Sequence, residues 1–259
     1  MENLLFQVVQ LSEEAGRAIM SVYSGGDFGT TLKADHSPLT RADTESHNII
    51  LQGLKLLSPQ LHLLSEESEE PPYSERRTWD SYWLADPLDG TKEFINHTGE
   101  FTVNIALIEK GNPILGVIHI PFSGISYFAF RGNGAYKKEP GKMPYRISTG
   151  DYRDQKLKII CSRLHQGAVL EDFLKKIKGY ESVNVGSSIK FCLIADGSAH
   201  LYPRLSPTME WDTAAGQCIV SEAGGTVTDF ERNPLKYNKP NLENPNFIVC
   251  GNPPFPWWE

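Results

Sequence analysis

The residues that most constrain the fold are 101–121, which read FTVNIALIEKGNPILGVIHIP. Two apolar runs flank a Gly-Asn-Pro turn, which is the pattern of two strands joined in a hairpin. The pattern continues with ISYFAF, the turn RGNG and AYKK. We therefore predict an antiparallel meander from Phe101 to Tyr136, so this half of the chain contains a sheet.

Helices and single strands precede the meander. Residues 3–23 carry apolar side chains at helical spacing with acidic side chains opposite, which predicts an amphipathic helix. A second helix is predicted from near Asp43 to Leu57, with Thr40 as its cap. LHLL at 61–64 and YWLA at 82–85 are each predicted to form a short buried strand.

The second half of the chain alternates between strands and helices. Residues 137–155 are polar and rich in Pro and Gly, which makes them the best candidate for a domain boundary. Beyond them, strands are predicted in LKIICS, SVNVG, HLYPR, GTVTDF and NFIVCG, and helices in GAVLEDFLKKI, SSIKFCLIA and DTAAGQCIVSEA. We predict a layered α/β chain with an antiparallel first subdomain at 1–150 and a mixed second subdomain at 151–259.

Composition excludes several classes of protein. A formal net charge of -7 over 259 residues argues against a broad nucleic-acid interface. Every apolar run is far shorter than the roughly 20 residues that a bilayer span needs, and we expect no secretory signal at the N-terminus. Four widely spaced cysteines without a CxxC pair indicate buried, reduced thiols and a cytoplasmic protein.

Two carboxylates lie in one stiff turn, DPLDGT at 86–91, directly after a predicted strand. Pro87 fixes its own φ and Gly90 can adopt a positive φ. Asp86, Asp89 and the carbonyl of Leu88 can then converge as hard oxygen ligands for Mg²⁺. The amides of Gly90 and Thr91 can point at an anion. The alternative is a surface turn in which Asp-Gly closes a hairpin and Asp89 or Thr91 only caps a helix.

Two further acidic segments favour the metal site. SEES at 65–68 follows a strand, and one of Glu66 and Glu67 should face the turn at Asp86 if the two strands are neighbours. Solvated loop charge is the alternative, which we favour for Glu67, Glu69 and Glu70. EWDTAAG at 210–216 places Asp212 at the start of a helix, where a helix-capping carboxylate is the alternative.

Together these segments resemble the inositol monophosphatase superfamily of magnesium-dependent, lithium-sensitive phosphatases. Its signatures are a GEE or SEE turn, DPxDGT and WDxAAG, and the resemblance extends from KADHSPLTRAD at 33–43 to WDTAAG at 211–216. The resemblance implies an αβαβα sandwich. It also implies two or three Mg²⁺ ions, which activate a water molecule and stabilise the leaving oxygen.

Within the superfamily the chain is most similar to bacterial 3′(2′),5′-bisphosphate nucleotidases. That similarity lies in SPLTRAD, WLADPLDGTKEFI, GEFTVNIALI, GSSIKFCLIADGSAHLYPR and EWDTAAG. It implies hydrolysis of the 3′-phosphate of 3′-phosphoadenosine 5′-phosphate to give AMP, a step that recycles a by-product of sulfate assimilation. The alternatives are an inositol or sugar phosphatase, and a phosphonucleotide sensor without catalysis.

The resemblance also implies roles for single residues. Asp43 and Thr91 would together polarise the attacking water. The metal ligands would be Glu66, Asp86, the Leu88 carbonyl, Asp89 and Asp212. Residues expected to contact the substrate are Glu66, Leu88, Asp89, Gly90, Thr91, Ser162, His165, Gly186, Ser188, Lys190, Arg204 and Asp212.

Substrate choice is expected to depend on GSSIKFC at 186–192. Lys190 would supply a positive charge for a second phosphate beside helix N-terminal amides. Inositol-specific relatives usually lack this lysine. A solvated side chain is the alternative for His165, and a surface ion pair for Arg204.

The expected partner is therefore the small-molecule substrate alone, without nucleic acid or an obligate protein. Relatives also allow weak peripheral contact with the inner membrane, although no basic amphipathic segment requires it.

Overall fold

Two long helices cover one face of the molecule. The computed structural model describes residues 1–26, 28–33, 37–153, 156–161 and 168–258. Helix α1 is Glu2–Gly25, and helix α2 is Arg41–Leu57. Thr40 is the N-cap of α2, and its backbone N–H donates to Asp43 Oδ2 at 2.7 Å in a capping box. Both predicted helices are confirmed, and α2 begins two residues before Asp43.

The large sheet has seven strands in the order β3-β4-β5-β6-β7-β8-β9. Only the β3–β4 pair is parallel. The pairs from β5 to β8 form the predicted antiparallel meander, and antiparallel pairing extends it to β4 on one side and β9 on the other. The strands are β3 (His62–Ser65), β4 (Ser81–Asp89), β5 (Thr102–Glu109), β6 (Asn112–Ile120), β7 (Ile125–Phe130), β8 (Ala135–Lys138) and β9 (Tyr145–Ile147). Strand β9 lies within the polar segment 137–155 and pairs with β8, so the large sheet extends into this segment.

The second sheet has five strands in the order β11-β10-β12-β14-β13. It is mixed: β10 pairs in parallel with β11 and β12, while β14 runs antiparallel to β12 and β13. The strands are β10 (Lys158–Cys161), β11 (Glu181–Asn184), β12 (Leu201–Arg204), β13 (Thr226–Asp229) and β14 (Phe247–Cys250). The predicted strands of this half are confirmed, and the division into subdomains at residue 150 stays a prediction.

Three helices accompany the second sheet, and short elements complete the fold. The helices are α5 (Ala168–Leu174), α6 (Ile189–Ala195) and α7 (Glu210–Glu222). The short elements are β1 (Thr31–Leu32), β2 (Pro38–Leu39), α3 (Tyr73–Arg76) and α4 (Thr91–Ile95). Helix α6 begins two residues later than predicted, because Ser187 adopts a left-handed φ of 54°.

Alternating side chains assign each sheet face to a separate core. Trp83 of β4 packs with α1 and α2, whereas its neighbour Leu84 packs with α6 and α7. In the second sheet, Val249 faces α6 and α7, whereas Ile248 faces α5 and Trp257. The layers are therefore helix, sheet, helix, sheet, helix, which confirms the αβαβα sandwich. No helix within the described ranges is long and apolar enough to cross a membrane.

Candidate active site

The DPLDGT segment ends a strand and begins a helix. Strand β4 continues through Asp89, with a register shift against β5 between Asp86 and Asp89. Gly90 follows at φ 90°, and a Cβ there would lie 2.9 Å from the carbonyl oxygen of Glu100. Glycine is therefore required both by backbone conformation and by space. The hairpin alternative is wrong because helix α4 follows the turn, and Gly90, not a side chain of Asp89 or Thr91, occupies its N-cap.

Three carboxylates from separate elements meet beside this turn. Glu66, Asp86 and Asp212 each offer an oxygen, and these oxygens lie within 4.8 Å of one another. Strands β3 and β4 are parallel neighbours with Ser65 opposite Ala85, so Glu66 and Asp86, the next residue of each strand segment, lie side by side. Asp212 arrives from the first turn of α7. A set of hard oxygen donors at this spacing fits a divalent cation such as Mg²⁺.

The electrostatics of the cluster also favour a cation. Asp86 is 1% exposed, and burial together with the negative charges of Glu66, Asp89 and Asp212 raises the pKa of its carboxyl well above its usual value. Burial and the charges of Asp89 and Glu66 likewise raise the pKa of Asp212. Like charges this close are unfavourable unless a cation or a proton neutralises them, so the donor set fits a bound metal.

Asp212 has a structural contact as well as its place in the cluster. Its Oδ2 accepts a hydrogen bond of 2.9 Å from the backbone N–H of Met209, the N-cap of α7. The predicted position is corrected slightly, because α7 begins at Glu210 and Asp212 is its third residue. This bond orients one carboxylate oxygen, while the helix-capping alternative alone does not explain the convergence with Glu66 and Asp86.

A lysine joins the two glutamates of SEES. Lys33 Nζ lies 2.7 Å from Glu66 Oε1 and 2.6 Å from Glu67 Oε1. Burial lowers the pKa of Lys33, but the two glutamates outweigh burial and raise it above its usual value. The prediction that Glu67 is solvated loop charge is wrong, because its side chain is only 10% exposed. Sequence reasoning missed Lys33, and its place in KADHSPLTRAD was the available signal.

Asp43 and Thr91 are in contact, as predicted. The hydroxyl of Thr91 lies 3.2 Å from Asp43 Oδ1 and 3.3 Å from the carbonyl oxygen of Leu88. The other oxygen of Asp43 accepts hydrogen bonds from the backbone and hydroxyl of Thr40. Burial raises the pKa of Asp43 although these hydrogen bonds oppose the rise. The pair is thus held rigidly beside the acidic cluster.

Asp89 lies beside the three-carboxylate cluster and is hydrogen-bonded by two serines. Its Oδ2 accepts hydrogen bonds of 2.8 Å from the hydroxyls of Ser187 and Ser188. Each serine is in turn anchored to β5: Ser187 lies 2.8 Å from Thr102 Oγ1, and Asn104 Nδ2 donates to Ser188 at 3.0 Å. This buried network fixes the start of α6 against the DPLDGT turn.

The network predicts a stability effect that separates the Thr102 hydroxyl from the packing of its side chain. Valine has the shape of threonine but cannot hydrogen-bond, so Thr102→Val leaves Ser187 and Asn104 each with one partner fewer. We expect Thr102→Val to lower the free energy of unfolding by about 1–3 kcal/mol, measured by denaturant titration. Thr102→Ser keeps the hydroxyl and is the matched control. Equal stability of the valine variant and the wild type would contradict the network's importance.

Two adjoining cavities meet at Asp89. The first, here called the carboxylate cavity, has a volume of about 370 Å³ and is lined by Glu66, Asp86 and Thr91 among others. The second, here called the lysine cavity, has a volume of about 110 Å³ and is lined by Lys190 and Arg204 among others. Residues common to both walls are Asp89, Gly90, Glu93, Thr208 and Asp212.

Lys190 is a buried charged residue in the wall of the lysine cavity. Its side chain is buried, its Nζ lies 5.7 Å from the centre of the Tyr202 ring, and burial lowers its pKa to about 8. Arg204 lines the same cavity and donates to the carbonyl oxygens of Ser206 and Pro207, so the surface ion-pair alternative does not describe it. Lys190 and Arg204 therefore line one small cavity together with Asp89, Glu93 and Asp212.

The predicted contacts of the remaining substrate residues have mixed outcomes. The Gly186 amide, expected to face an anion, donates instead to Glu100 Oε2 at 2.9 Å. The hydroxyl of Ser188 is turned toward Asp89 and the Asp212 carbonyl oxygen. Ser162 and His165 lie outside the described residues.

Comparison with known proteins supplies the family. The model of the inositol monophosphatase family matches residues 1–253 of the chain. The chain belongs to the inositol monophosphatase family. Among curated members, the 3′(2′),5′-bisphosphate nucleotidase CysQ of Escherichia coli K12 is 46% identical over 248 residues, which are 95% of this chain and 99% of that protein. CysQ of Haemophilus influenzae is 35% identical over 258 residues, covering 99% and 96%.

Solved structures of similar proteins agree with this assignment. CysQ from Bacteroides thetaiotaomicron superposes with a TM-score of 0.85 at 40% identity, covering 96% of this chain and 97% of that one. The extragenic suppressor protein suhB from Bartonella henselae gives a TM-score of 0.82 at 26% identity, covering 96% and 94%. The αβαβα sandwich of this chain is thus the fold of the inositol monophosphatase family.

Proposed function

We propose that this member of the family is a magnesium-dependent 3′(2′),5′-bisphosphate nucleotidase that converts 3′-phosphoadenosine 5′-phosphate to AMP and phosphate. The observation that carries the proposal is the lysine cavity beside the carboxylate cavity. Lys190 and Arg204 bring two positive charges to the lysine cavity, and a substrate with two phosphates places one phosphate in each cavity. The names of the CysQ relatives support the same substrate class.

The carboxylates and the turn would hold the reacting phosphate. In this proposal Glu66, Asp86, Asp212, Asp89 and the Leu88 carbonyl together hold two or three Mg²⁺ ions. When bound, such ions neutralise the phosphate, acidify water and stabilise the leaving oxygen of an in-line displacement. The amides of Gly90 and Thr91 complete the phosphate contact at the start of α4.

Thr91 and Asp43 would move the proton. The Thr91 hydroxyl donates to Asp43 Oδ1, so its oxygen lone pairs are free to accept a hydrogen bond from the attacking water. As the water attacks, its proton passes to Thr91 Oγ1 while Thr91 gives its own proton to Asp43. The raised pKa of Asp43 favours this transfer, because it makes the carboxylate a stronger base.

The location of the protein is also a proposal. All four cysteines are buried and free, which is consistent with reduced thiols in the cytoplasm. We retain the small-molecule substrate as the partner, without nucleic acid or an obligate protein. The proposal does not include the peripheral membrane contact that the resemblance allows.

Substrate preference tests the function directly. Phosphate release by the purified full chain with Mg²⁺ should show a kcat/KM for 3′-phosphoadenosine 5′-phosphate at least about tenfold above that for inositol 1-phosphate, since only the nucleotide fills the lysine cavity with a charged group. Removal of Mg²⁺ by a chelator should abolish both activities. A higher kcat/KM for inositol 1-phosphate would show that the protein is an inositol phosphatase and not a nucleotidase. No release from either compound would favour the sensor.

A further inference from the structure

Glu93 is a carboxylate in the wall that the two cavities share. It lies in the segment WLADPLDGTKEFI, but none of the metal, catalytic or substrate roles above is given to it. It follows the DPLDGT turn on α4 and lines both the carboxylate cavity and the lysine cavity. Its Oε1 lies against the backbone of Gly186, where an added Cβ would be 2.9 Å away. The side chain is therefore confined to this boundary.

Lys190 is a positive charge near Glu93, but the Glu93 carboxylate differs from the other acids of the shared wall because no other described residue donates a hydrogen bond to it. Asp89 accepts from two serine hydroxyls and Asp212 accepts from the Met209 amide. Among the described residues, no side-chain or neighbouring backbone donor is hydrogen-bonded to Glu93, whose one such contact is with its own backbone N–H. A partly buried carboxylate with unused lone pairs can accept hydrogen bonds from a ligand.

Charge determines which part of the ligand can lie beside Glu93. A phosphate would be repelled, since like charges in a partly desolvated space are unfavourable. A neutral hydrogen-bond donor, such as a hydroxyl group, would instead be attracted to the Glu93 carboxylate. If the reacting 3′-phosphate occupies the carboxylate cavity and the 5′-phosphate contacts Lys190, the ribose that links them must pass the shared wall. The ribose of this substrate carries one free hydroxyl, at the 2′ position.

We propose that Glu93 is a specificity-determining residue that accepts a hydrogen bond from the free ribose hydroxyl of the bisphosphate. This inference rests on the proposed nucleotidase function and adds recognition of the sugar to it. Glu93 thereby also excludes ligands that carry a third phosphate on that hydroxyl. With the ribose held at the shared wall, the 3′-phosphate lies in the carboxylate cavity, where it reacts, and the 5′-phosphate lies in the lysine cavity.

The test compares two substrates that differ in one hydroxyl: 3′-phosphoadenosine 5′-phosphate and its 2′-deoxy analogue. For the wild type we expect kcat/KM to be about tenfold higher with the hydroxyl, the ratio for one hydrogen bond to a charged group. Glu93→Ala should bring this ratio close to one. Glu93→Gln keeps an accepting oxygen without the charge and should give an intermediate ratio.

A matched control separates recognition from structural support. Glu100 accepts a hydrogen bond from the Gly186 amide but lines neither cavity. Glu100→Gln should therefore change kcat/KM for the two substrates by the same factor. The inference is overturned if Glu93→Ala retains the wild-type ratio, or if the wild type hydrolyses both nucleotides equally. Failure to hydrolyse either nucleotide would instead remove the proposed function itself.

Discussion

Asp86→Asn should lower kcat/KM by about a thousandfold or more, because a metal ligand contributes several kcal/mol to the transition state and each 1.36 kcal/mol is tenfold in rate. Asparagine has the size of aspartate and can still accept the 3.0 Å hydrogen bond from the Leu88 amide. It lacks the charge that would bind Mg²⁺ between Glu66 and Asp212. Initial rates at saturating Mg²⁺ measure the loss.

The same substitution should not weaken the metal-free fold. Asp86 is buried among three other carboxylates, so its charge is unfavourable in the folded state without a cation. In a chelator we expect the melting temperature of Asp86→Asn to equal or exceed that of the wild type. Adding Mg²⁺ should raise the wild-type melting temperature and leave the variant nearly unchanged, because only the wild type gains binding free energy.

A surface aspartate provides the control for the change in net charge. Asp172 lies on α5, its side chain is 71% exposed, and it pairs with Lys175 at 2.8 Å. Asp172→Asn should leave activity and the response to Mg²⁺ unchanged. If Asp86→Asn is strongly destabilised in chelator, or keeps its response to Mg²⁺, the assignment of Asp86 as a metal ligand fails.

The acidic cluster was predictable because its determinants are local. DPLDGT carries its own turn chemistry in Pro87 and Gly90, and Glu66 and Asp86 lie side by side because their strands are parallel neighbours. The layered fold was predictable for a similar reason, since the apolar runs of the meander pair with their neighbours in sequence.

Contacts between distant segments were not predictable in the same way. Lys33 meets Glu66 from 33 residues away, and nothing in SEES indicates which cation its glutamates bind. The contacts of β5 with the two serines that bind Asp89 were indicated by the sequence but not predicted. Thr102 and Asn104 are polar residues at alternate positions of an apolar strand, so their side chains lie on one face of it. The late start of α6 depends on Ser187, whose φ of 54° is stabilised by tertiary hydrogen bonds.

Lys190 gives the second large effect, and it should appear in KM and in its pH dependence. Lys190→Gln removes the charge from the lysine cavity, so KM for 3′-phosphoadenosine 5′-phosphate should rise by about tenfold to a hundredfold at pH 7, the loss of one charge-assisted hydrogen bond. KM for adenosine 3′-monophosphate, which has no 5′-phosphate, should change little. A rise by the same factor for both substrates would contradict the role.

Lys137 is a matched control for Lys190. Its Nζ lies 5.0 Å from the centre of the Tyr127 ring, as Lys190 lies near Tyr202, but it pairs with Asp196 and lines neither of the two cavities. Lys137→Gln therefore removes a similar partly buried lysine without affecting phosphate contact. We expect its KM values for both nucleotides to match those of the wild type.

The lowered pKa of Lys190 fixes the direction of the pH effect. Burial brings the pKa to about 8, so the ammonium is charged below that pH and loses its proton above it. KM for the bisphosphate should therefore rise between pH 7 and pH 9 in the wild type. The difference between the KM values of the wild type and Lys190→Gln should become smaller over the same range. Lys190→Arg keeps its charge throughout this range. If this variant still binds the bisphosphate, its KM should not rise between pH 7 and pH 9. If the ratio of the wild-type KM values for the bisphosphate and the monophosphate does not change with pH, the Lys190 charge does not bind the second phosphate.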